Sequence, residues 1–321
     1  MNFKKILRFF SEKNDFGKSI WRLLHWIKIN SLRVLSDEKY FIRAYKRTHR
    51  CLPDFKNPQT FDEKQLWLKM NYRNPLCVKC SDKYRVREYV KECGLEHVLN
   101  PLYAVYDSVN DIEWNKLPSE FYIKTNHTSG CNVRCNDIKK FNIKNAEKIL
   151  ARGMKEDYSR NTREWNYRDI ERKIIAEAVI KPTDNAGLID YRFLCNYGNC
   201  EYMFVDIDTA DEMGNHRHDA RRNVYDSNFN LLDVTVSRKN FDATLVSKPQ
   251  NFDKMLEYAK ILSKPFPFCR VDFYNIDGKI IFGEITFFHA GGLSEITPKE
   301  WELKLGEFIK FDQAKISTKI K

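Results

Sequence analysis

Two hairpin patterns in the C-terminal half constrain the fold more than any other feature of the chain. Residues 269–274 and 280–286 have strand character on either side of Asp277-Gly278, a dipeptide typical of tight turns. Residues 191–206 show a second hairpin pattern around Gly198-Asn199. In both hairpins polar side chains stand among apolar ones. The chain is therefore predicted to contain an antiparallel sheet.

Helical and strand patterns are mixed along the rest of the chain, which makes the predicted fold class α+β. Helices are predicted at 61–70, 83–92, 143–154 and 301–311, and strands at 103–106, 121–125, 131–135 and 174–180. Asp82 is expected to cap the helix at 83–92. The polar stretch 208–225 is predicted to be a loop.

The positive charge of the chain is concentrated at its N-terminus. The formal net charge is +11, yet residues 1–50 contain 13 Lys and Arg against four Asp and Glu, and the remaining residues contain 42 against 40. A surface that binds nucleic acid spreads its basic residues over the body of the fold. The distribution argues against nucleic-acid binding and indicates a local electrostatic anchor.

The N-terminal segment has the pattern of a basic amphipathic helix. Within residues 1–35, apolar residues such as Trp21 and Ile27 stand among Arg22 and Lys28, and no apolar run is long enough to span a bilayer. We expect this segment to bind an anionic membrane surface, with the protein cytoplasmic and peripheral at the inner face of the cytoplasmic membrane. Packing of the helix on its own domain is the alternative.

The nine cysteines, an odd number, favour reduced thiols in a cytosolic protein. A zinc site is the alternative, because Cys77-x-x-Cys80 is followed by Cys131 and Cys135. These spacings differ from those of zinc fingers and zinc ribbons.

Lys124 stands inside an apolar strand pattern and is followed by a turn of small and polar residues. Burying an ammonium group without a partner is costly, so a neighbouring polyanion would account for this lysine. The turn supplies hydroxyls, backbone N–H groups and a glycine, which together suit a phosphate. Its candidate residues are His127, Thr128, Ser129, Gly130 and Asn132. A lysine that extends from a strand end to solvent is the alternative.

The last hairpin carries two acids and an arginine. Arg270 and Asp272 are two residues apart and therefore share a face of their strand, as Glu284 and Thr286 do on the next one. A three-residue loop would bring Asp272 opposite Glu284, whereas a two-residue loop needs a bulge for the same pairing. Facing carboxylates repel each other unless a cation such as Mg²⁺ bridges them. A solvated sheet face, with the acids paired to Arg270, is the alternative.

Taken in order, these motifs resemble the ATP-grasp superfamily. Asp82-Lys83 is followed by Ile123-Lys124, by Glu177 in an apolar strand, and by Arg270-x-Asp272 with Glu284-x-Thr286. From about residue 53 to residue 301 the chain is more closely similar to the TupA-like ATP-grasp family of teichuronopeptide and capsular polysaccharide biosynthesis. The resemblance implies a bilobed ATP-grasp fold with antiparallel sheets and flanking helices, in addition to the N-terminal basic helical segment.

The resemblance also implies a division of the chain into parts. The basic segment at 1–50 would be followed by an N-terminal helical lobe at 51–118. A small lobe with the phosphate loop would cover 119–185, and a C-terminal lobe with the magnesium-binding hairpin would cover 186–321.

Nucleotide-binding roles follow from the same resemblance. Lys83 and Lys124 match the lysines that contact the ATP phosphates, and residues 127–132 match the loop that covers them. Glu177 matches the acid of the strand that lines the adenine pocket. The backbone groups of Ala178 and Val179 would read the base, and Asp190 matches an acid that binds the ribose.

Catalytic and metal-binding roles are implied at the last hairpin. Arg270, together with Lys124, matches the cations that steady the transferred phosphoryl group. Asp272 and Glu284 match magnesium ligands. Thr286 stands where most of the superfamily has Asn as a further metal ligand. A hydroxyl is a weaker ligand than an amide oxygen, so the number of magnesium ions, one or two, stays open.

The implied reaction depends on ATP and Mg²⁺. A carboxylate is activated as an acyl phosphate and joined to an amine; in this family the partners would be an acidic glycan or a uronic acid and an amine substrate. A candidate clamp for a carboxylate or phosphate is formed by His216, Arg217, Arg221 and Arg222. An exposed basic loop is the alternative.

Two other functions stay open at this point. Asp206-Ile-Asp208 has the spacing of the metal motif in glycosyltransferases that use nucleotide sugars. A non-catalytic surface protein with an ATP site is the other alternative.

Overall fold

A computed structural model of the chain describes residues 34–182, 187–211, 214 and 217–317. The chain divides into two compact units, residues 1–53 and 54–321. In the first unit, helix α1 (Asp37–His49) begins after Ser36, whose side chain accepts a hydrogen bond from the backbone N–H of Lys39. The basic helix that is predicted to bind a membrane consists almost entirely of residues 1–33, which lie outside the described residues.

The second unit combines helices with antiparallel strands, so the predicted α+β fold class is confirmed. Its helices are α2 (Phe61–Asn71), α3 (Pro75–Ser81), α4 (Val86–Glu92), α5 (Ile143–Lys155), α6 (Tyr158–Thr162), α7 (Phe252–Ser263), α8 (Glu300–Phe308) and α9 (Gln313–Ser317). Short 3₁₀ turns cover Glu96–Val98, Val109–Asp111, Trp114–Lys116, Ile138–Lys140, Trp165–Tyr167, Ala243–Leu245 and His289–Gly292.

The strands form two main sheets and a small ribbon. They are β1 (Leu102–Tyr106), β2 (Phe121–Thr125), β3 (Asn132–Cys135), β4 (Ile174–Glu177), β5 (Asp190–Asn196), β6 (Asn199–Ile207), β7 (Arg221–Asp226), β8 (Leu231–Leu232), β9 (Thr235–Val236), β10 (Cys269–Ile276), β11 (Lys279–Thr286) and β12 (Ile296–Thr297). The sheet orders are β1-β4-β2-β3, β11-β10-β5-β6-β7-β8 and β12-β9.

The four-stranded sheet has one apolar face. In β2, Phe121 and Ile123 are fully buried and pack with Ala146 and Leu150 of helix α5. Because side chains alternate along a strand, Lys124 lies on the opposite face, where it is half-buried. The helix thus fills the core on one side of the sheet and leaves the lysine on the other.

The six-stranded sheet is divided in the same way. Phe193, Val271 and Phe273 are buried and face helix α7, and the Phe193 ring centroid lies 5.9 Å from that of Phe252 in this helix. The other face carries the charged side chains of the same strands. Burial of the apolar face therefore fixes which side of the sheet presents the acids and arginines.

A β-bulge sets the pairing of the last hairpin. The loop has two residues, Asp277 and Gly278, because Ile276 pairs with Lys279. The register shifts after Asp272, so that Asp272 pairs with Glu284 and Gly283 is the extra residue. A Cβ atom on Gly283 would lie only 3.1 Å from the carbonyl oxygen of Asp272. Of the two arrangements considered from the sequence, the structure adopts the bulge, which places both acids on one face.

Several predicted boundaries are wrong. The helix predicted to start at Lys83 begins at Val86, because the Asp82 carboxylate accepts a hydrogen bond from the Tyr84 N–H and another from the Asn126 side chain. The loop predicted at 208–225 contains the start of β7, whose buried Val224 pairs with β6. Helix α7 was not predicted. The strand predicted at 174–180 ends at Glu177, and the helix predicted at 301–311 ends at Phe308.

No helix among the described residues is both long enough and apolar enough to cross a membrane.

We expect Gly306→Ala to destabilise the protein, although alanine is the better helix former. A Cβ atom at Gly306 would overlap the carbonyl oxygen of Gln59 and lie 2.8 Å from the carbonyl carbon of Thr60. Overpacking of this kind costs about 1–3 kcal/mol, more than the ~1 kcal/mol that alanine gains in a helix. Urea denaturation should give a lower free energy of unfolding. Leu303→Ala, at an exposed position of the same helix, is the matched control, and equal stability of Gly306→Ala and the native chain would contradict the packing.

Candidate active site

The face of the six-stranded sheet that lies opposite helix α7 is rich in charge. In register, Asp272 stands between Glu284 on β11 and Arg192 on β5. Asp206 likewise stands between Asp190 and Arg222. The charged and polar members of this face are Asp190, Arg192, Asp206, Arg222, Arg270, Asp272, Glu284 and Thr286.

Arg270 joins the two acids of the last hairpin. Its Nε and Nη2 donate to the two carboxylate oxygens of Asp272 at 2.7 and 2.6 Å. The same Nη2 lies 3.1 Å from Glu284 Oε1 and 3.1 Å from Thr286 Oγ1. One guanidinium thus serves two carboxylates, and Glu284 keeps 47% of its side chain exposed. The two acids therefore share one positive charge, that of Arg270.

The lysine that precedes helix α4 belongs to the same electrostatic environment. Lys83 Nζ donates to the carbonyl oxygen of Thr128 at 2.6 Å. Burial lowers the pKa of Lys83, with Glu284 and Glu177 opposing and Lys124 adding to this shift. For Glu284, burial opposes ionisation, but Arg270 and Lys83 outweigh it and lower the pKa. These groups therefore lie within electrostatic range of one another.

Lys124 extends from the outer face of the four-stranded sheet. Its ammonium group forms an ion pair with Glu177, and both side chains are largely buried, at 18% and 15% exposure. Asn132 is its register partner on β3. Lys124, Glu177 and Glu284 all act on the pKa of Lys83, so each of these three groups lies within electrostatic range of Lys83.

The base of the predicted phosphate loop is held by Asn126, which the sequence pattern did not single out. Its side-chain nitrogen donates to Asp82 Oδ1 at 2.8 Å and to the carbonyl oxygen of Glu171 at 2.8 Å. Its backbone carbonyl accepts from the N–H of Lys83 at 3.1 Å. This buried amide fixes the position of Lys83 relative to the loop.

The loop turns two of its predicted side chains inwards. His127 and Thr128 are 3% and 1% exposed, and the Thr128 hydroxyl lies 2.6 Å from that of Thr125. Burial, together with the positive charge of Arg172, lowers the pKa of His127 to about 4. The exposed part of the loop is Ser129 and Gly130, and Gly130 has a φ of 86° that favours glycine. A contact between the loop surface and a phosphate would therefore involve these two residues rather than the imidazole.

The predicted base-reading segment is partly engaged by the protein itself. The N–H of Ala178 donates to the carbonyl oxygen of Pro101 at 2.9 Å. The carbonyl of Ala178 accepts from the Asn100 side chain at 2.7 Å. Both backbone groups of Ala178 are thus engaged by the segment before β1, and recognition of a base by Ala178 and Val179 stays a prediction. Val179 is the remaining predicted residue of this segment.

Asp190 lies on the charged face of the large sheet and is buried. It accepts a hydrogen bond from the Thr209 hydroxyl at 2.8 Å and lies 3.2 Å from Arg192 Nη2. Its contacts are thus with the arginine cluster of this face.

The predicted clamp residues do not converge. His216 lies outside the described residues. Arg217 pairs with Asp219 at the surface, and Arg221 pairs with Asp208. Arg222 is buried and binds both carboxylate oxygens of Asp206, at 2.6 and 2.7 Å. Successive residues of a strand point to opposite faces, so among the three clamp residues that the structure describes, only Arg222 lies on the charged face.

The sequence did not reveal that Arg192, Arg238 and His289 belong to the charged face of the large sheet. It also did not reveal that Asp206 is bound by these arginines. His289 lies between two guanidiniums, 2.7 Å from Arg270 Nη1 and 3.0 Å from Arg222 Nη1. Burial and these neighbouring charges hold its pKa well below the usual value. The signal in the sequence was the presence of Arg192 and Asp206 inside otherwise apolar strands.

The chemistry of the acid pair fits one divalent cation. Asp272 and Glu284 face each other, and the Thr286 hydroxyl lies 3.1 Å from Glu284 Oε1. Within the part of the chain that the structure describes, no three His, Cys, Asp or Glu side chains are arranged to hold a metal ion. A cation here would therefore depend on two carboxylates, with water, substrate oxygens or the hydroxyl completing its shell.

A family model described as TupA-like ATPgrasp matches residues 63–310, well over half of the chain. The chain belongs to the TupA-like ATP-grasp family, as its motifs predicted.

Comparison with solved structures gives distant similarities. An L-amino acid ligase from Bacillus licheniformis is 14% identical with a TM-score of 0.43; the match covers 70% of this chain and 48% of that ligase. A D-alanine–D-alanine ligase from Bacillus anthracis is 13% identical with a TM-score of 0.42, covering 76% and 70%. A D-cycloserine synthetase is 12% identical with a TM-score of 0.42, covering 75% and 72%. The chain thus spans about half the length of the first of these proteins. A comparison with curated protein sequences gave no match.

We expect His127 to make stability depend on pH. Its pKa is about 4 in the folded protein and ~6.5 in an unfolded chain. The stabilisation is therefore complete above the unfolded value and is lost as the pH falls from 6.5 towards 4. Linkage puts the loss between pH 7 and pH 5 at about 2 kcal/mol.

Guanidinium chloride denaturation of His127→Asn at both pH values tests this expectation. The variant should lose less stability on acidification than the native chain does. Exposed His97 provides the control substitution, His97→Gln. An unchanged pH dependence in His127→Asn would contradict the burial of a neutral imidazole.

Proposed function

We propose that the protein is an ATP-dependent ligase that activates a carboxylate as an acyl phosphate and joins it to an amine. One observation supports this most: Arg270 hydrogen-bonds to both Asp272 and Glu284, Lys83 acts on Glu284, and Lys124 in turn acts on Lys83. These residues come from four separated stretches of the chain. Membership of an ATP-grasp family also supports an ATP-dependent ligase.

The cations would bind the triphosphate and stabilise the charge that develops on the transferred phosphoryl group. Lys83 precedes helix α4, Lys124 lies on the four-stranded sheet, and Arg270 lies on the six-stranded sheet. Preorganised donors of this kind act mainly by electrostatic stabilisation. Asp272 and Glu284 would hold Mg²⁺, which neutralises phosphate charge and orients the phosphate groups when it is bound.

The chemistry has two balanced steps. A carboxylate oxygen attacks the γ-phosphorus, the bond to the bridging oxygen breaks, and ADP leaves with the electron pair. The amine nitrogen then attacks the carbonyl carbon of the acyl phosphate, phosphate leaves, and the amine proton passes to solvent. Exclusion of water protects the acyl phosphate between these steps.

We propose an acidic glycan or a uronic acid as one substrate and an amine as the other, in the biosynthesis of a cell-surface polysaccharide. The support for this substrate class is the family resemblance of the motifs between Asp82 and Thr286, together with the arginine-rich face of the large sheet.

The structure does not favour a nucleotide-sugar glycosyltransferase. Asp206 is fully buried and bound by Arg222 and Arg238. Asp208 is bound by Arg221. Both acids of the Asp206-x-Asp208 pair are therefore occupied by arginines, which leaves this pair poorly suited to a metal-bound sugar diphosphate.

We expect Mg-ATP to raise the melting temperature and UDP-glucose, a nucleotide sugar without a carboxylate, to leave it unchanged. Saturation at a hundred times the dissociation constant stabilises a protein by about 2.7 kcal/mol, which thermal denaturation resolves easily. Asp272→Asn should abolish the shift, because the acid pair loses half its charge. Asp253→Asn, at an exposed acid of helix α7, is the control. A shift with UDP-glucose alone would contradict the ligase proposal.

An assay for ADP release tests the reaction itself. A panel of uronic acids and amino acids, each with an amine, should contain at least one pair that releases ADP in proportion to the amide formed. No ADP release from any pair would contradict the proposal.

We further propose that the basic segment at 1–35 attaches the protein to anionic membranes. The full chain should sediment with vesicles that contain phosphatidylserine and remain in solution with pure phosphatidylcholine. Replacing Lys4, Lys5 and Arg8 by Glu should remove this binding, since each cation near such a surface contributes about 1 kcal/mol. Equal sedimentation with both vesicle types would contradict the anchor.

A further inference from the structure

The charged face of the large sheet has two ends with opposite charge balance. At the β11 end, the guanidinium of Arg270 stands against two carboxylates, Asp272 and Glu284. At the β7 end the balance is reversed. Three guanidiniums, those of Arg192, Arg222 and Arg238, stand against the carboxylates of Asp190 and Asp206. The first end suits a cation and the second an anion.

Arg192 is the least satisfied arginine of the second end. Its Nε is buried and makes no hydrogen bond to any part of the chain that the structure describes. Its nearest carboxylate oxygens lie at 3.2 Å on Asp190 and Asp206, and at 3.8 Å on Asp272. Leaving a charged donor without a hydrogen bond in a buried site is costly.

The neighbouring arginines explain why Arg192 stays unsatisfied. Arg222 binds both oxygens of Asp206 at 2.6 and 2.7 Å, and Arg270 binds both oxygens of Asp272 at 2.7 and 2.6 Å. Asp206 and Asp272 therefore each have an arginine bound to both oxygens, and Asp190 is left to pair with Nη2 of Arg192 at 3.2 Å. A further oxyanion would supply what Arg192 lacks.

Arg238 lies beside this position and is open to solvent. Its Nη1 donates to Asp206 Oδ2 at 2.6 Å, and 30% of its side chain is exposed. Burial and the nearby guanidiniums of Arg192 and Arg270 lower its pKa, which places it in the same cluster. An anion that enters from solvent would meet Arg238 and then Arg192.

Arg192 lies close enough to the Asp272 and Glu284 pair to hold a substrate for the reaction. Arg192 pairs in register with Asp272, and neighbouring strands are about 4.8 Å apart. Arg192 Nε lies 3.8 Å from Asp272 Oδ2, so a carboxylate bound by Arg192 would be next to a phosphoryl group bound at Arg270 and Asp272. Guanidinium forks are well matched to carboxylates.

We infer that Arg192 and Arg238 bind the carboxylate of the substrate that becomes activated. This inference rests on the proposed ligase function and assigns its acid substrate to the β5–β7 end of the charged face. The ATP phosphates take the β10–β11 end. The ligand class is a carboxylic acid, including the uronic acids considered above.

Steady-state kinetics with the best acid of the ADP-release panel test the assignment. Arg238→Ala and Arg192→Lys should each raise the KM for the acid at least tenfold and change the KM for ATP less than twofold. Arg192→Lys keeps a positive charge beside Asp190, Asp206 and Asp272 and loses only the planar fork of donors. Arg238→Lys should recover part of the affinity that Arg238→Ala loses.

Arg152→Ala, at an exposed arginine of helix α5, is the matched control and should change neither KM. Melting temperatures of all variants report whether they fold. Folded variants with an unchanged KM for the acid, or with both KM values raised equally, would overturn the inference and leave the ligase function standing. Absence of ADP release by the native chain with every acid would instead reject the ligase function, and this inference with it.

Discussion

The bulge at Gly283 is the constraint on which the site depends. Without the extra residue, the two-residue turn would pair Asp272 with position 283 and send Glu284 to the apolar face beside helix α7. With it, both carboxylates meet on one side, where Arg270 bridges them. The cost of gathering like charges is offset by this guanidinium and by Lys83. Arg270 compensates the two carboxylates, and a bound cation can do the same.

Charge is distributed across this face so that each part suits a different reactant. The acid pair lies at one edge and an excess of guanidinium charge at the other, with Asp272 and Arg192 in register between them. The four-stranded sheet adds Lys124 and Glu177, and Asn126 positions Lys83. Two sheets with separate cores thus contribute to one electrostatic centre. This arrangement accounts for the separation of the motifs along the sequence.

The features that could be predicted from the sequence are those encoded locally. Alternation within β10 and β11 put Arg270 with Asp272, and the Asp277-Gly278 turn limited the pairing to two registers. Long-range partners were beyond such reasoning: Arg238 reaches Asp206 across 32 residues. The inward orientation of His127 and Thr128 depends on helix α5 as well. A Cβ atom on Gly153 would come within 2.7 Å of the Cys131 Cβ atom, so that helix packs directly under the loop.

Trapping the activated acid with hydroxylamine tests the central claim most directly. In the presence of Mg-ATP and the acid substrate, the account predicts hydroxamate and ADP in equal amounts, with both products lost in Lys124→Met. Hydroxylamine attacks an acyl phosphate without needing the natural amine, so the measurement isolates the first step. Formation of AMP and pyrophosphate, or hydroxamate that persists in Lys124→Met, would contradict a γ-phosphoryl transfer at this group of cations and carboxylates.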